Sequence, residues 1–205
     1  FFSPTLTVNN DWTKHFCKAI IDAKLNISWC GTTRPDCAQD EEMVILMKKS
    51  GCYKIAMGIE TFDKKSAQKL EKYLSSNYEY QVEHSVKLFI ENGIKVNALM
   101  MLGIEGQTKQ NIYDSYEKLQ KWGATIRSSA YSPRDILKTQ DSVHMCTFEG
   151  IASMDKMTYI NYKIPGINYS QFLNLIYNTE NFGEILKNEK GNLLGSRECV
   201  NKVSK

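Results

Sequence analysis

The stretch KIAMGIETF, Lys54 to Phe62, joins a short apolar run to a glycine and a carboxylate. The run has the composition of a buried strand, and it reaches Gly58 two residues before Glu60. One interpretation is an ordinary turn, in which Glu60 caps the helix that starts near Asp63. The other is a strand end at which a polar ligand is held. The flanking segments bear on which interpretation applies.

On either side of this strand, strand-like and helix-like segments alternate along the chain. The predicted strands cover residues 25–30, 54–58, 94–102 and 124–131, after a strand end and loop at 1–9. The predicted helices cover 11–23, 41–50, 64–74, 79–92 and 108–122. Asn10 or Asp11 is a plausible cap for the first helix, and Gly51, Gly93 and Gly123 end three of the others. Repeated β–loop–α units predict a parallel sheet, either barrel-like or open and doubly wound.

The composition is that of a globular chain. Its 205 residues are 42% hydrophobic and 24% charged, enough for a sizeable core. Because 26 basic and 23 acidic residues are interleaved, we expect neither a nucleic-acid nor a membrane surface. No apolar run approaches the roughly 20 residues that cross a bilayer, and no secretory signal is visible, so we expect a cytoplasmic location. The chain opens on Phe1 without Met, and we expect it to be part of a larger protein.

The cysteines are scattered rather than clustered. They are Cys17, Cys30, Cys37, Cys52, Cys146 and Cys199. No CxxC or CxxxCxxC motif is present, so we expect reduced and mostly buried thiols. The spacing specifies no metal site within these residues.

Polar side chains follow the predicted strands, whose carboxyl ends meet at one edge of a parallel sheet. They are Ser3 and Thr5 after the first strand, Arg34 and Asp36 after the second, Glu60 after the third, and Gly103, Gly106, Gln107 and Thr108 in GIEGQT after the fourth. Glycines allow a ligand to approach the backbone, and a helix start offers free N–H donors. The lysine of a phosphate-binding loop is missing. Arg34 with Asp36 is also compatible with a surface ion pair, and GIEGQT with a plain turn.

Three segments, in this order, resemble radical S-adenosylmethionine (SAM) enzymes. They are TVNNDWTKHFCKAIIDAKLNISWCGTTRPD, LMKKSGCYKIAMGIET and ENGIKVNALMMLGIEGQT. The likeness is greatest to the large branch that often carries an upstream cobalamin-binding domain, and it spans about residues 1–131. It implies an α/β fold, a partial (β/α)6 TIM-like barrel of parallel strands that is incomplete at its amino terminus. We assign this barrel to residues 1–135 and a mainly helical C-terminal extension to 136–205.

The resemblance also implies cofactors and partners. In this family a [4Fe–4S] cluster reduces SAM, and a 5′-deoxyadenosyl radical then abstracts hydrogen from the substrate. The expected cofactors are therefore SAM and the cluster, and the resemblance leaves open whether cobalamin is used. The expected partners are a small-molecule or peptide substrate, an upstream cobalamin-binding domain, and a reductant such as flavodoxin or ferredoxin.

The site residues follow from the family motifs, position by position. Glu60 matches the residue expected near the ribose hydroxyls. A carboxylate can accept hydrogen bonds from two such neighbouring hydroxyl groups. Arg34 matches the arginine of the family's "tR.D" motif, a candidate for binding a carboxylate or a substrate group. The other matches are Ser3 and Thr5 near the methionine amino group, Gly103 and Gly106 beside adenine, and Tyr131 at the end of the sixth strand, near adenine or substrate.

The chain departs from the family pattern at several positions. The cluster loop CxxxCxxC is absent from these residues and would belong upstream of Phe1. Ser3 stands where many relatives have Asp, and Glu105 and Gln107 replace the Pro and Glu of the PGET motif. Ser75 falls where some relatives carry a basic residue, with Lys72 one turn earlier.

Two other interpretations remain open at this point. The first is a non-catalytic relative that keeps the barrel and acts as a binding or scaffold module. The second is an unrelated (β/α) enzyme that works by acid–base chemistry with Glu60 and Asp36.

Overall fold

The computed structural model describes residues 5–72, 75–131 and 164–177. In these residues four parallel strands form one sheet in the order β1-β2-β3-β4. The strands are β1 Trp29–Thr33, β2 Cys52–Glu60, β3 Lys95–Leu102 and β4 Thr125–Ala130. The α-helices are α1 Asn10–Asp22, α2 Glu41–Lys49, α3 Lys64–Lys69, α4 Tyr78–Glu91, α5 Lys109–Lys121 and α6 Tyr169–Tyr177, and 3-10 turns cover Leu6–Val8 and Pro35–Cys37. The predicted α/β class with a parallel sheet is confirmed.

One face of the sheet packs against helices and forms the core. The strand residues buried there include Ile55, Met57, Ile59, Val96, Ala98, Met100 and Ile126. The helices contribute Met43, Met47, Phe89, Tyr116 and Leu119 to the same cluster. Phe172 and Leu175 of α6 also belong to it, so the described part of the predicted C-terminal extension packs on the barrel core. The rest of that extension, like Ser3, lies outside the described residues.

The glycine signals locate most helix ends correctly. Gly51, Gly93 and Gly123 follow α2, α4 and α5 with φ values of 99°, 72° and 90°. α1 starts at Asn10, one residue before the predicted helix. Its N-cap is Asn9, whose side chain accepts a hydrogen bond from the backbone N of Trp12 at 2.9 Å.

The first described strand lies later in the sequence than predicted. Leu25 and Ile27, which suggested a strand by their alternation, are 54% and 40% exposed. β1 instead starts at Trp29, buries alternate residues and ends at Thr33, three residues after the predicted end of the strand. Its buried positions include Gly31, which hydrophobic periodicity does not detect.

The helix predicted over 64–74 ends at Lys69. Glu71 adopts a left-handed backbone with φ of 54°, and the N–H of Lys72 bonds to the carbonyl of Ala67 at 2.9 Å. This is the hydrogen-bond pattern of a Schellman C-cap, which glycine usually provides. Because Glu occupies the left-handed position, the sequence carried no stop signal there.

The turn between α2 and β2 gives a test of the fold. A Cβ at Gly51 would stand 2.0 Å from the backbone O of Ile27, whereas a Cβ at Gly93 would meet only the flexible end of Lys48, at 3.3 Å. Gly93→Ala should therefore cost only the strain of a left-handed alanine, about 1–2 kcal/mol. Gly51→Ala adds a backbone clash and should lower the free energy of unfolding by more than the control variant does. Urea unfolding followed by circular dichroism measures both, and equal losses would contradict the described turn.

Candidate functional site

The carboxyl ends of the four strands meet at one edge of the sheet, which we call the mouth. Glu60 pairs with Met100, and Leu102 pairs with Ala130, so the ends of β2, β3 and β4 are adjacent. Arg34, Glu60, Gly103 and Tyr131 each lie at or just beyond a strand end at this edge. The structure thus brings these predicted site residues together.

The segment of Thr5 also reaches the mouth. Thr5 precedes the 3-10 turn Leu6–Val8, in which the buried Thr7 hydrogen-bonds to the side chain of Thr33 at the end of β1. Thr5 itself is half-buried, and its carbonyl accepts from Val8 N at 3.4 Å. Its predicted role at the methionine end of a cofactor stays a prediction.

Glu60 occupies an unusual backbone position at the end of β2. The register shifts between Gly58 and Glu60, and Glu60 has a φ of 67°. A Cβ added to Gly58 would lie 3.0 Å from Oε1 of Glu60, so the carboxylate folds back over the glycine. Burial raises the pKa of Glu60, and the nearby Lys72 acts in the opposite direction. The carboxylate is thus held in a partly dry position where it can accept hydrogen bonds from a ligand.

Lys72 is a mouth residue that the sequence analysis left out of the site. Its Nζ donates to the carbonyls of Ile59 at 2.8 Å and Gly58 at 3.2 Å, and it lies 5.3 Å from the ring centroid of Tyr78. Tyr78 itself donates to Ile59 O at 3.0 Å. Burial lowers the pKa of Lys72 to about 8, although the charge of Glu60 opposes this shift.

The sequence contains no local signal that predicts Lys72 at the mouth. The prediction set it one turn before the family's basic position, in the last turn of a helix predicted over 64–74. The left-handed Glu71 ends that helix early and returns the chain to the end of β2. The position of Lys72 is therefore a consequence of the unusual helix cap.

Arg34 forms the ion pair that the sequence allowed as an alternative. Its Nε donates to Oδ1 of Asp36 at 3.0 Å, and its NH2 group donates to Oδ2. The two side chains are 55% and 43% exposed. Arg34 thus lies at the mouth with its guanidinium already bound on one edge, and its role toward a cofactor stays a prediction.

The GIEGQT loop is braced from within. Oε1 of Gln107 accepts from the backbone N of Gly103 at 2.9 Å and of Ile104 at 3.1 Å, and Nε2 donates to Met101 O at 2.8 Å. Thr108 caps α5 reciprocally with Asn111. The expectation of free N–H donors at the helix start is therefore wrong for Thr108 and Asn111, whose backbone N–H groups are already bonded.

The remaining loop features have simple structural explanations. Gly106 has a φ of 94° and approaches α3, where its Cβ position is 3.7 Å from the Cβ of Lys65. Glu105, at the Pro position of the family motif, pairs with Lys69 at 2.9 Å. Tyr131 N donates to Leu102 O at 2.7 Å, which extends the β3–β4 ladder by one residue. The proposed adenine contacts of Gly103, Gly106 and Tyr131 stay predictions.

The described residues lack two features. They contain no group of three or more His, Cys, Asp or Glu side chains that could hold a metal ion. Over the same ranges, no helix is long and apolar enough to cross a membrane.

No family model matches this chain. It is 27% identical over 121 residues to the anaerobic magnesium-protoporphyrin IX monomethyl ester cyclase of Rubrivivax gelatinosus. The match covers 58% of the chain but only 21% of that relative.

The fold is similar to that of solved radical SAM enzymes. The radical SAM methyltransferase TsrM from Kitasatospora setae, solved with cobalamin and a [4Fe–4S] cluster bound, matches 62% of this chain and 26% of its own length, with a TM-score of 0.53 and 18% identity. Coproporphyrinogen III oxidase, HemN, from Escherichia coli matches 75% of this chain and 37% of its own length, with a TM-score of 0.52 and 12% identity. The four parallel strands of this chain therefore share the fold of part of these solved enzymes, and the chain spans well under half the length of each protein that it matches here.

Proposed function

We propose that this chain forms the SAM-binding core of a radical SAM enzyme. SAM would bind at the mouth beside a [4Fe–4S] cluster, and the enzyme would act on a small-molecule or peptide substrate in a biosynthetic or methyl-transfer reaction. When bound, SAM would supply a 5′-deoxyadenosyl radical, with methionine as the leaving group, after accepting one electron from the reduced cluster. The single observation that carries the proposal is the carboxylate of Glu60, which lies over Gly58 at the mouth.

The position of Glu60 suits vicinal hydroxyl groups. Its oxygens have no hydrogen-bond donor among the described residues, and burial raises its pKa, so a ligand that donates would satisfy a partly dry acceptor. Gly58 provides the space, because a side chain there would collide with Oε1 of Glu60. The ribose of a nucleoside offers two neighbouring donors of this kind.

Lys72 supplies a positive charge beside Glu60. An ammonium group has three donors, and two of those of Lys72 bind the carbonyls of Gly58 and Ile59. The third is available to a ligand at the mouth. We propose that it orients the carboxylate of the methionine moiety.

The described residues do not provide the ligands that a [4Fe–4S] cluster needs. They hold no group of three or more metal-ligating side chains, and a [4Fe–4S] cluster needs several thiolates. We therefore propose that its ligands lie outside the described residues, and that cobalamin, which TsrM binds, is a further cofactor of the whole protein. The same observation favours one alternative, a non-catalytic barrel that acts as a binding or scaffold module.

Removal of the Glu60 carboxylate should weaken SAM binding. Hydrogen bonds to charged groups contribute about 1.5–3 kcal/mol, so Glu60→Ala should raise the dissociation constant roughly 10- to 100-fold. Calorimetry on the 205-residue chain measures this change. Glu117→Ala, which removes an exposed carboxylate from α5, is the matched control and should bind SAM like the wild type. Unchanged affinity in Glu60→Ala would refute the ribose assignment.

The contribution of Lys72 should depend on pH. The pKa of Lys72 is lowered to about 8, so the free protein loses this charge as the pH rises through 8. A bound carboxylate favours the charged form of Lys72 and raises its pKa. The affinity for SAM therefore falls as the pH rises from the pKa of Lys72 in the free protein to its pKa in the complex. The ratio of the dissociation constant of Lys72→Met to that of the wild type should be large at pH 7 and approach 1 at high pH.

Calorimetric titrations from pH 7 to pH 10 measure this ratio, about tenfold at pH 7 for one charged hydrogen bond. Lys49→Met, at the exposed end of α2, controls for the loss of net charge. A ratio that does not change with pH would show that Lys72 does not contact the ligand.

Anaerobic reconstitution with iron and sulfide separates the enzyme from the non-catalytic alternative. The complete gene product should become brown and show the electron paramagnetic resonance signal of a reduced [4Fe–4S] cluster after dithionite treatment. A colourless product that still binds SAM would favour the binding module. The 205-residue chain alone is the negative control if the ligands lie elsewhere.

A further inference from the structure

The face of the sheet opposite the helices carries a distinct set of side chains. Because strand residues alternate between faces, the residues between the buried positions point away from the helices. They include Thr32 on β1, Lys54, Ala56 and Gly58 on β2, Lys95, Asn97, Leu99 and Met101 on β3, and Thr125, Arg127 and Ser129 on β4. All of these are half-buried or exposed among the described residues. In a barrel this face lines the interior.

Arg127 stands out on this interior face. It lies in the middle of β4, and no described residue forms a hydrogen bond or ion pair with its guanidinium. In register, Gly58 pairs with Leu99 and Leu99 with Arg127. Since neighbouring strands are about 4.8 Å apart, the backbone of Arg127 lies about 10 Å from the glycine beneath the Glu60 carboxylate.

The charges on the interior face are unbalanced. Lys54, Lys95 and Arg127 are cationic, and Glu60 is the one acidic side chain of these four strands that reaches this face in the described residues. Arg127 is exposed on this face, and its planar fork can bind carboxylate or phosphate through two parallel hydrogen bonds. Its neighbours Leu99 and Met101 are half-buried and apolar.

We propose that Arg127 binds an anionic group, carboxylate or phosphate, of the substrate, whose apolar body covers Leu99 and Met101. The inference rests on the proposed function, which makes this face the barrel interior. We assign Arg127 to the substrate rather than the cofactor because β4 lies far from the strands beside which the methionine end of the cofactor is expected. The methionine end is expected near Thr5, beside β1, and Lys72, at the end of β2, whereas β4 lies three strands, about 14 Å, from β1.

The test uses small amphiphilic probes on the 205-residue chain. Hexanoate and hexyl phosphate carry the two candidate anions, and hexanamide is the neutral control. Arginine Nε–Hε resonances in nitrogen-15 NMR spectra report binding, and Arg127→Gln assigns the signal of Arg127. At least one anion should give a saturable shift of that signal, and hexanamide should give none. Whichever anion binds more tightly identifies the substrate group.

The variants establish that the guanidinium is responsible. Binding followed through the Met101 methyl signal should weaken at least fivefold in Arg127→Gln and by less in Arg127→Lys, which keeps the charge but loses the fork. Lys121→Gln, at the exposed end of α5, removes the same charge and should bind like the wild type. Equal binding in Arg127→Gln, or no saturable shift with either anion, would overturn the proposal.

S-adenosylhomocysteine distinguishes this inference from the proposed function. Competition between S-adenosylhomocysteine and the anion for Arg127 would overturn the inference, because the cofactor's own carboxylate would then be the ligand. Binding of both together supports it. If the anion binds through Arg127 but neither S-adenosylhomocysteine nor SAM binds the wild type, the proposed function fails and the anion site stands.

Discussion

The bend at the end of β2 is the constraint on which the mouth depends. A residue with a Cβ in the left-handed region costs about 1–2 kcal/mol, and Glu60 is held there with a φ of 67°. Lys72 and Tyr78 both donate to the carbonyl of Ile59, immediately before the bend. Gly58 leaves the space into which the carboxylate returns. Backbone strain of this kind is common at functional sites, where surrounding contacts enforce it.

The charged residues at the mouth lie in different environments around the bend at the end of β2. Arg34 is bound to Asp36 at the exposed rim, so its charge is largely balanced before any ligand arrives. Glu60 and Lys72 lie deeper, and each shifts the pKa of the other. Arg127 lies on the same face of the sheet as the Glu60 carboxylate but two strands away, with no counter-ion among the described residues. Charge is therefore distributed in a way that suits a zwitterionic cofactor on one side and an anionic substrate group on the other.

The sequence predicted those parts of the fold that depend on local signals. Glycines at positions that require a left-handed backbone marked the ends of α2, α4 and α5, and apolar runs marked β2 and β3. The errors have a common origin in residues that lack such signals. Glu71 ends α3 without a glycine, and Gly31 fills a buried position of β1 without an apolar side chain. Lys72 was missed for the same reason, because its location follows from a cap that tertiary contacts impose.

The pair formed by Glu60 and Lys72 explains how a strained and partly dry site can exist without a ligand. Burial raises the pKa of the acid and lowers that of the base, so each group alone would tend toward its neutral form. Their mutual attraction opposes both shifts and favours the charged form of each group. A ligand with hydroxyl donors and a carboxylate would then replace lost water contacts at both groups at once. The two residues therefore act as one electrostatic unit, and loss of either leaves the other as an uncompensated buried charge.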